Sequence, residues 1–149
     1  MSATLTRIAR IAVVVGVVAA VAVAKSTTPQ FAKTIHLFSF MSWFGTSVWI
    51  SFFSGLIAFK TLKRHTFGRL QSRNFPIYFT YSCVLLTLCI GCALSERPLV
   101  GEIYKSIIER KDLQYLIGTL SMNLLNLYFL EPRTTALMWK RHAVEKKLN

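Results

Sequence analysis

The stretch IHLFSFMSWFGTSVWISFFSGLIAF, Ile35–Phe59, decides the fold class of this chain. Its 25 residues contain no Asp, Glu, Lys or Arg. A helix of that length reaches about 37 Å at roughly 1.5 Å per residue, which exceeds the hydrocarbon core of a bilayer, about 30 Å thick. The basic segment Lys60–Asn74 follows directly. The boundary between the two therefore predicts where the chain leaves the membrane, with Lys60–Asn74 as a basic loop.

Two further uncharged runs, Phe75–Leu94 and Leu113–Leu130, predict spanning helices. Pro76 is expected in the first turn of the former, where a missing N–H costs least. The latter is the more polar of the two, but asparagines in a spanning helix can hydrogen-bond to a neighbouring helix. The sequence thus predicts an all-α integral membrane bundle with three to four spanning helices, depending on the N-terminus.

The N-terminal apolar run, Ile11–Ala24, fits a retained anchor helix, a cleaved signal peptide or a mitochondrial presequence. Arg7 and Arg10 precede it, and it ends in a small-residue pattern typical of signal cleavage. The run is not amphipathic, which disfavours a presequence, and we favour the retained helix. We therefore divide the chain into a signal-anchor or targeting helix with a short linker, residues 1–34, and a membrane domain, residues 35–149.

The charge distribution predicts an orientation. The chain carries 18 basic and six acidic residues, for a net charge of +12. Five basic residues lie in Lys60–Asn74 and five follow Leu130, and an alternating path puts both segments on one side of the membrane. The positive-inside rule identifies that side as the inner one. Nucleic acid is not expected as a partner, because the aromatic residues fall inside the apolar runs and no RNA- or DNA-binding motif is present.

Small or amide side chains predict how the helices pack. Small residues spaced four apart share one helix face and let two backbones approach closely, while amides can hydrogen-bond across an interface. The predicted packing positions are Ser47, Ser51, Gly55, Cys83, Thr87, Gly91, Asn123 and Asn126.

The segment after Leu130 predicts a separate helix. Pro132 is a good first helical residue and a poor interior one, so the spanning helix is expected to end there and a new one to begin. Leu137, Val144 and Leu148 fall on one face of that new helix. The pattern predicts a basic amphipathic helix on the inner membrane surface, with a frayed polar tail as the alternative.

Several blocks of the chain are distinctive in their order. They are Trp49–Gly55, Arg64–Gly68, Gln71–Ser72, Phe75–Phe79, Leu130–Ala136, Met138–Trp139 and Val144–Lys146. Together they resemble the transmembrane protein 205 family, small multi-pass proteins of eukaryotic membranes, from about Lys33 to Lys147. The resemblance implies a membrane address and no established reaction. It also implies a further hydrophobic helix after the last blocks, whereas Ile11–Ala24 is additional in this chain.

A polar cluster is predicted on the inner side of the membrane. The topology places the loop that carries Arg64, His65 and Gln71 on the same side as Glu131 and Arg133. One hypothesis is a site that binds an anionic headgroup or a small anion through the basic members. The alternative is an ion pair such as Arg64–Glu131 that pins the loop to a helix terminus.

Catalytic and cofactor chemistry is not expected. Cys83, Cys89 and Cys92 lie inside an apolar run, where small packing residues are the simpler interpretation than a Cu(I) site. His36, at the outer end of its helix, is expected to act as an interfacial hydrogen-bonding group. No Ser/His/Asp set, glycine-rich phosphate loop or pair of membrane carboxylates is present, so we predict no enzyme, no cofactor and no metal.

The predicted function is that of a structural or accessory membrane component acting through helix packing and contacts with lipids or partners. The alternatives are a small-molecule transport or efflux factor and a subunit of a mitochondrial membrane complex. The expected partners are the lipid bilayer, anionic lipid headgroups, and other membrane subunits or a second copy. The expected location is a secretory-pathway or plasma membrane, with the mitochondrial inner membrane as the alternative.

Overall fold

The computed structural model describes residues 11–18, 20, 28–95 and 108–148, with only the backbone described at 142 and 145–148. Residues 11–18 form an N-terminal helical segment. The elements that follow, all helical, are α1 (Pro29–Val48), π1 (Trp49–Ser54), α2 (Gly55–Thr61), α3 (Arg64–Leu94), α4 (Lys111–Leu125), π2 (Asn126–Leu130) and α5 (Glu131–Leu148). The all-α prediction is confirmed for this part of the chain.

The elements α1, π1 and α2 form one continuous helix, Pro29–Thr61. It begins ahead of the uncharged run because Pro29, as the first helical residue, needs no hydrogen-bond partner for an N–H. It ends at Leu62, whose φ of −101° and ψ of 143° are extended. Leu62 and Lys63 alone separate it from α3.

The prediction of a loop over Lys60–Asn74 was wrong except at Leu62 and Lys63, because the first helix continues to Thr61 and α3 already begins at Arg64. Basic side chains exclude a segment from lipid, but arginine, leucine and glutamine are good helix formers, so the helix extends past the membrane boundary. Pro76 consequently lies inside α3, not in its first turn, and its carbonyl oxygen accepts a hydrogen bond from the Thr80 hydroxyl at 2.7 Å.

The helix Pro29–Thr61 packs antiparallel to α3. The His36 ring bonds to the Cys89 carbonyl oxygen at 2.9 Å near one end of the pair, and the Tyr78 hydroxyl donates to the Ser47 hydroxyl at 2.9 Å further along. At the other end the rings of Phe59 and Phe67 meet edge to face, 5.6 Å between centroids. These contacts fix one register along the length of the hairpin.

Two further helical segments pack against α3. A Cβ on Gly68 would lie 2.9 Å from the Sδ atom of Met138, so α5 packs against the start of α3. Gly16 and Ala20 of the N-terminal segment approach Val84 and Gly91 of the same helix. The central cluster of buried side chains comprises Leu86, Cys89 and Leu116, with Phe40, Trp43, Ile90 and Leu120 packed around it.

The chain is a membrane protein by the character of its helices. In the described part, Pro29–Thr61 and Arg64–Leu94 are long and apolar enough to cross a bilayer. The first of these exposes large apolar side chains over most of its length, including Phe38, Phe52 and Phe59. Such a surface suits lipid contact and would be unfavourable in water. The predicted run Leu113–Leu130 occupies α4 and π2.

The predicted helix break at Pro132 was wrong in one respect. Pro132 is the second residue of α5, close to the first-turn position expected for it. The backbone nevertheless stays helical through Glu131, whose φ of −58° and ψ of −53° are those of a helix. The chain passes through the wider turn of π2 just before the proline, and such π-helical turns are a known way for a helix to accommodate a local irregularity.

Candidate functional site

A cleft opens between the first two turns of α3 and the face of α5 that packs against them. Its volume is about 410 Å³. The residues that line it are Arg64, His65, Phe67, Gly68, Thr134, Leu137, Met138 and Arg141.

The floor of the cleft is fixed by packing. Gly68 has no side chain, and Met138 occupies the space beside it. Phe67 is held from the other side by the edge-to-face contact with Phe59. The Thr134 hydroxyl bonds to the carbonyl oxygens of Leu130, at 2.9 Å, and Glu131, at 3.0 Å. An apolar floor with defined shape thus lies under polar and cationic walls.

The walls of the cleft carry positive charge. Arg64, His65 and Arg141 are all exposed, so their side chains are accessible to a ligand from solvent or from the membrane surface. Arginine presents planar N–H groups that match the oxygen atoms of phosphate and carboxylate. The arrangement therefore suits an anion that carries several acceptor oxygens.

The wider surface around the cleft has the same sign. The basic side chains at this end, among the described residues, are Lys60, Lys63, Arg64, Arg69, Arg73, Arg133, Lys140 and Arg141, all exposed. The described carboxylate side chain at this end belongs to Glu131, which is only 5% exposed. Because that carboxylate is turned inward, it does little to offset the positive potential at the surface.

Glu131 has its own local environment. The Thr135 hydroxyl donates to Oε1 of Glu131 at 3.0 Å, within one turn of α5. The second oxygen, Oε2, is buried and has no hydrogen-bond partner among the described residues. The described residues also include no ion pair between Glu131 and Arg64. The carboxylate is therefore held by its own helix, and the contact between α3 and α5 includes the packing of Gly68 against Met138.

The five residues of the predicted polar cluster lie in different places. Arg64 and His65 line the cleft. Arg133 is exposed outside the lining, with its guanidinium 4.7 Å from the centroid of the Phe129 ring. Gln71 is half-buried outside the lining, and Glu131 is buried one turn ahead of Thr134.

Sequence reasoning missed the contribution of α5 beyond Arg133. Thr134, Met138 and Arg141 recur at helical spacing, which places them on one face of α5. That spacing was available in the sequence. Its meaning was hidden because α3 was expected to begin near Phe75, so no helix was predicted for this face to pack against.

The packing positions of the first helix differ in their surroundings. The Ser47 hydroxyl accepts from Tyr78 of α3 at 2.9 Å and donates to the Trp43 carbonyl oxygen at 2.8 Å. Ser51 lies in π1 and is exposed. At Gly55, a Cβ would lie 2.9 Å from the Ile50 carbonyl oxygen, which belongs to the same continuous helix. The π-helical turn changes the angular step between residues, so a four-residue stripe does not continue through it on one face.

The packing positions of α3 lie along its buried side. Cys83 is fully buried, and the Thr87 hydroxyl donates to its carbonyl oxygen at 2.6 Å. Gly91 meets Ala20 of the N-terminal segment.

The two amides of the third predicted span bond within their own helix. Nδ2 of Asn123 donates to the Thr119 carbonyl oxygen at 2.9 Å, and Nδ2 of Asn126 donates to the Met122 carbonyl oxygen at 3.0 Å. Asn123 is buried, so its side chain still contributes to the interior of the bundle.

A second, smaller cleft of about 310 Å³ lies at the opposite end of the bundle. It is lined by Lys33, His36, Cys92, Ala93 and Arg110. Arg110 is engaged there. Its Nη2 and Nε atoms donate to the two oxygens of Asp112 at 2.6 and 3.3 Å, and Nη1 donates to the Ala93 carbonyl oxygen at 3.3 Å. These hydrogen bonds, with the positive charge, lower the pKa of the Asp112 carboxyl. This cleft is therefore the weaker candidate for an anion.

The cysteines lie on the buried side of α3 in reduced form. The Sγ atom of Cys89 donates to the His36 carbonyl oxygen at 3.6 Å, so this thiol and the histidine ring both take part in the contact between helices. Within the described residues, no group of three His, Cys, Asp or Glu side chains is placed to hold a metal ion.

Comparison with known proteins matches the chain to a protein family and to a curated relative. Residues 38–143 match the family model described as a domain of unknown function, DUF4149. Transmembrane protein 205 from Danio rerio is 41% identical over 50 residues, which is 34% of this chain and 27% of that relative. The aligned part thus spans little more than a quarter of the curated relative. No solved structure matches the chain. The two matches confirm the resemblance to the transmembrane protein 205 family.

Proposed function

The chain belongs to the DUF4149 family, and from that premise we propose that it is a non-catalytic, multi-pass membrane protein that binds an anionic lipid headgroup at the basic end of its bundle. The observation that carries the proposal is the cleft between α3 and α5. Arg64 and His65 of α3 and Arg141 of α5 line it together with apolar side chains. A headgroup phosphate suits the cationic walls, and an acyl chain suits the exposed apolar surface of the helices.

The orientation in this proposal follows from charge. The basic end faces the cytoplasm, where the leaflet carries anionic lipids that attract basic segments next to the membrane. Three spans then carry the chain across the bilayer: one within Pro29–Thr61, one in the part of α3 that follows Arg73, and one over Leu113–Leu130. The retained N-terminal helix is the fourth. The proposed location is a secretory-pathway or plasma membrane.

The proposed role of the C-terminal helix, α5, takes account of its continuity with π2. Because α5 continues from π2 without a break, its basic side chains extend from the end of a long helix, and the helix packs against α3 through Met138. The middle of α5 carries Arg141, which lines the cleft, and Lys140, which extends the basic surface beyond it. We propose that this helix contacts the headgroup layer along its side.

Partner chains are part of the same proposal. Large apolar side chains remain exposed on the first helix, and in a bilayer they contact either lipid or another membrane helix. Purification in mild detergent, followed by identification of co-purifying chains, separates a second copy from other membrane subunits. If the chain purifies as a monomer with lipid alone, the proposal of a partner chain is contradicted. The headgroup site is tested separately.

The headgroup site is tested by matched charge removal. Arg64→Gln and Arg141→Gln each remove a charge from the cleft, whereas Lys63→Gln and Lys140→Gln remove the neighbouring charge outside its lining. Binding of short-chain phosphatidic acid to the full chain is measured in mild detergent, beside inorganic phosphate. A charge-assisted hydrogen bond contributes about 1.5–3 kcal/mol, so each cleft variant is expected to raise Kd by roughly tenfold or more.

The control variants separate a site from general attraction. Exposed charges outside the lining are screened by solvent, so their removal is expected to change Kd by about twofold or less. Equal losses for all four variants would contradict a defined site. Binding of phosphate as tightly as the lipid would identify a soluble anion as the ligand.

A further inference from the structure

Two buried polar atoms in the apolar part of the bundle have no hydrogen-bond partner among the described residues. They are Nε1 of Trp43 and Oγ of Ser82. The Ser82 side chain is fully buried, and Trp43 packs against the central apolar cluster. An unpaired N–H or O–H group in such surroundings costs several kcal/mol in hydrocarbon, where no bulk water is available.

The two residues lie at the same level of the antiparallel hairpin. The contact of His36 with Cys89 lies on one side of them along the helices, and the contact of Ser47 with Tyr78 lies on the other. Starting from either hydrogen bond and moving one residue at a time along both helices, toward the other hydrogen bond, brings Trp43 opposite Ser82. Both side chains therefore belong to one cross-section of the bundle.

They also belong to one face. Trp43 packs against the cluster that contains Leu86, and Ser82 precedes Leu86 by four residues, which places the two on the same side of α3. Asn123 of α4 is buried and follows Leu116 of the same cluster by seven residues, again on one face. Trp43 and Ser82 thus direct polar groups into the same part of the interior, and Asn123 lies on the face of α4 that borders the same cluster.

We infer that this layer, formed by Trp43, Ser82 and Asn123, binds an internal water molecule. The indole N–H only donates, and a hydroxyl both donates and accepts, so a water can accept from Nε1 of Trp43 while it bonds to Ser82. Internal waters typically bond to two to four otherwise unsatisfied buried polar groups, and Nε1 of Trp43 and Oγ of Ser82 are two such groups. The inference is independent of the headgroup site, which lies at the basic end.

The test uses the three tryptophans of the chain as probes. The full chain is labelled with ¹⁵N at tryptophan and placed in lipid nanodiscs, and Trp49→Phe and Trp139→Phe assign the indole signals. A cross-peak between the indole N–H of Trp43 and water is expected in the wild type. Ser82→Ala removes the second water partner and is expected to abolish that cross-peak.

Two further variants keep the result interpretable. Ser82→Cys has nearly the same volume but a much weaker hydrogen-bonding group, and it gives the same expected loss if Ser82→Ala does not fold. Ser47→Ala removes a hydroxyl of the same interface that already has protein partners, and it is expected to leave the cross-peak unchanged. A folded wild type with no cross-peak from Trp43 to water would overturn the inference. A cross-peak that survives both Ser82 variants would also overturn it.

Discussion

Gly91 and Ala20 approach each other so closely that neither helix has room for another side chain between them. A Cβ on Gly91 would lie 2.7 Å from the Ala20 Cβ and 2.9 Å from the Ala20 carbonyl oxygen. The second of these atoms belongs to the backbone, which cannot move aside as a flexible side chain can. The contact is a close crossing of two helices at small residues, a common packing mode in membranes.

The Gly91→Ala substitution is expected to weaken the docking of the N-terminal segment onto α3. Overpacking costs about 1–3 kcal/mol, which outweighs the gain of about 1 kcal/mol from the better helix propensity of alanine. Gly118→Ala is the matched control, because nothing lies within 4 Å of a Cβ there and the propensity gain stands alone. Thermal unfolding in detergent should rank Gly118→Ala at or above wild type and Gly91→Ala below it. The reverse order would contradict the crossing.

The hydrogen bond from Tyr78 to Ser47 is expected to stabilise the hairpin modestly. Bonds between membrane helices contribute about 0.6 kcal/mol on average, because the separated helices also find partners. Tyr78→Phe and Ser47→Ala should each lower the unfolding free energy by about 0.5–1.5 kcal/mol. In a double-mutant cycle their effects should be less than additive, since either change removes the same bond. Strict additivity would mean that the hydroxyls act separately.

The sequence predicted the membrane helices because an uncharged run and the polar residues that follow it can be recognised without any tertiary contact. The uncharged run ending at Phe59 and the polar residues after it define where lipid is replaced by water. The same signal misplaced the start of α3, because a charge marks the edge of the hydrocarbon core and says nothing about where a helix begins. Ten residues of helix beyond that edge, from Arg64 to Arg73, are what create the cleft.

The candidate site was predictable only in part for the same reason. Arg64 and His65 stood out as a basic pair next to the membrane, and in the structure they line one cleft with residues of α5. Thr134 and Arg141 could not be paired with them, because that pairing depends on the register of two helices, which Gly68 and Met138 set through a tertiary contact. Glu131 carries charge in the sequence, yet only the structure shows its carboxylate turned inward.

The Thr135→Val substitution is expected to destabilise the chain. It removes the donor to Oε1 of Glu131 and leaves both carboxylate oxygens buried without a partner. A buried group left unsatisfied costs about 1–3 kcal/mol, more when it is charged. Unfolding by denaturant in mild detergent measures the loss.

A second substitution tests the reason for that loss. Glu131→Met replaces the carboxylate by an apolar group of similar volume, and such replacements of buried charge are often neutral or stabilising. The double variant Glu131→Met with Thr135→Val should therefore recover most of the stability that Thr135→Val loses. If the double variant is as unstable as Thr135→Val alone, the cost lies in the threonine packing and not in the carboxylate.

The pair formed by Arg110 and Asp112 is expected to make stability depend on pH in the acid range. The hydrogen bonds from Arg110, and then its charge, lower the pKa of Asp112 in the folded state, whereas an unfolded aspartate titrates at about 3.9. The folded state thus binds fewer protons, so the contribution is complete above the unfolded pKa and is lost as the pH falls through the folded pKa. The Asp112 side chain is 58% exposed, so solvent screening keeps the effect small.

Thermal unfolding from about pH 5 downward should show a steeper fall in stability for wild type than for Asp112→Asn, and Arg110→Gln should flatten the profile in the same way. Equal slopes in all three proteins would contradict the prediction, because they would show that Asp112 titrates alike in the folded and unfolded states.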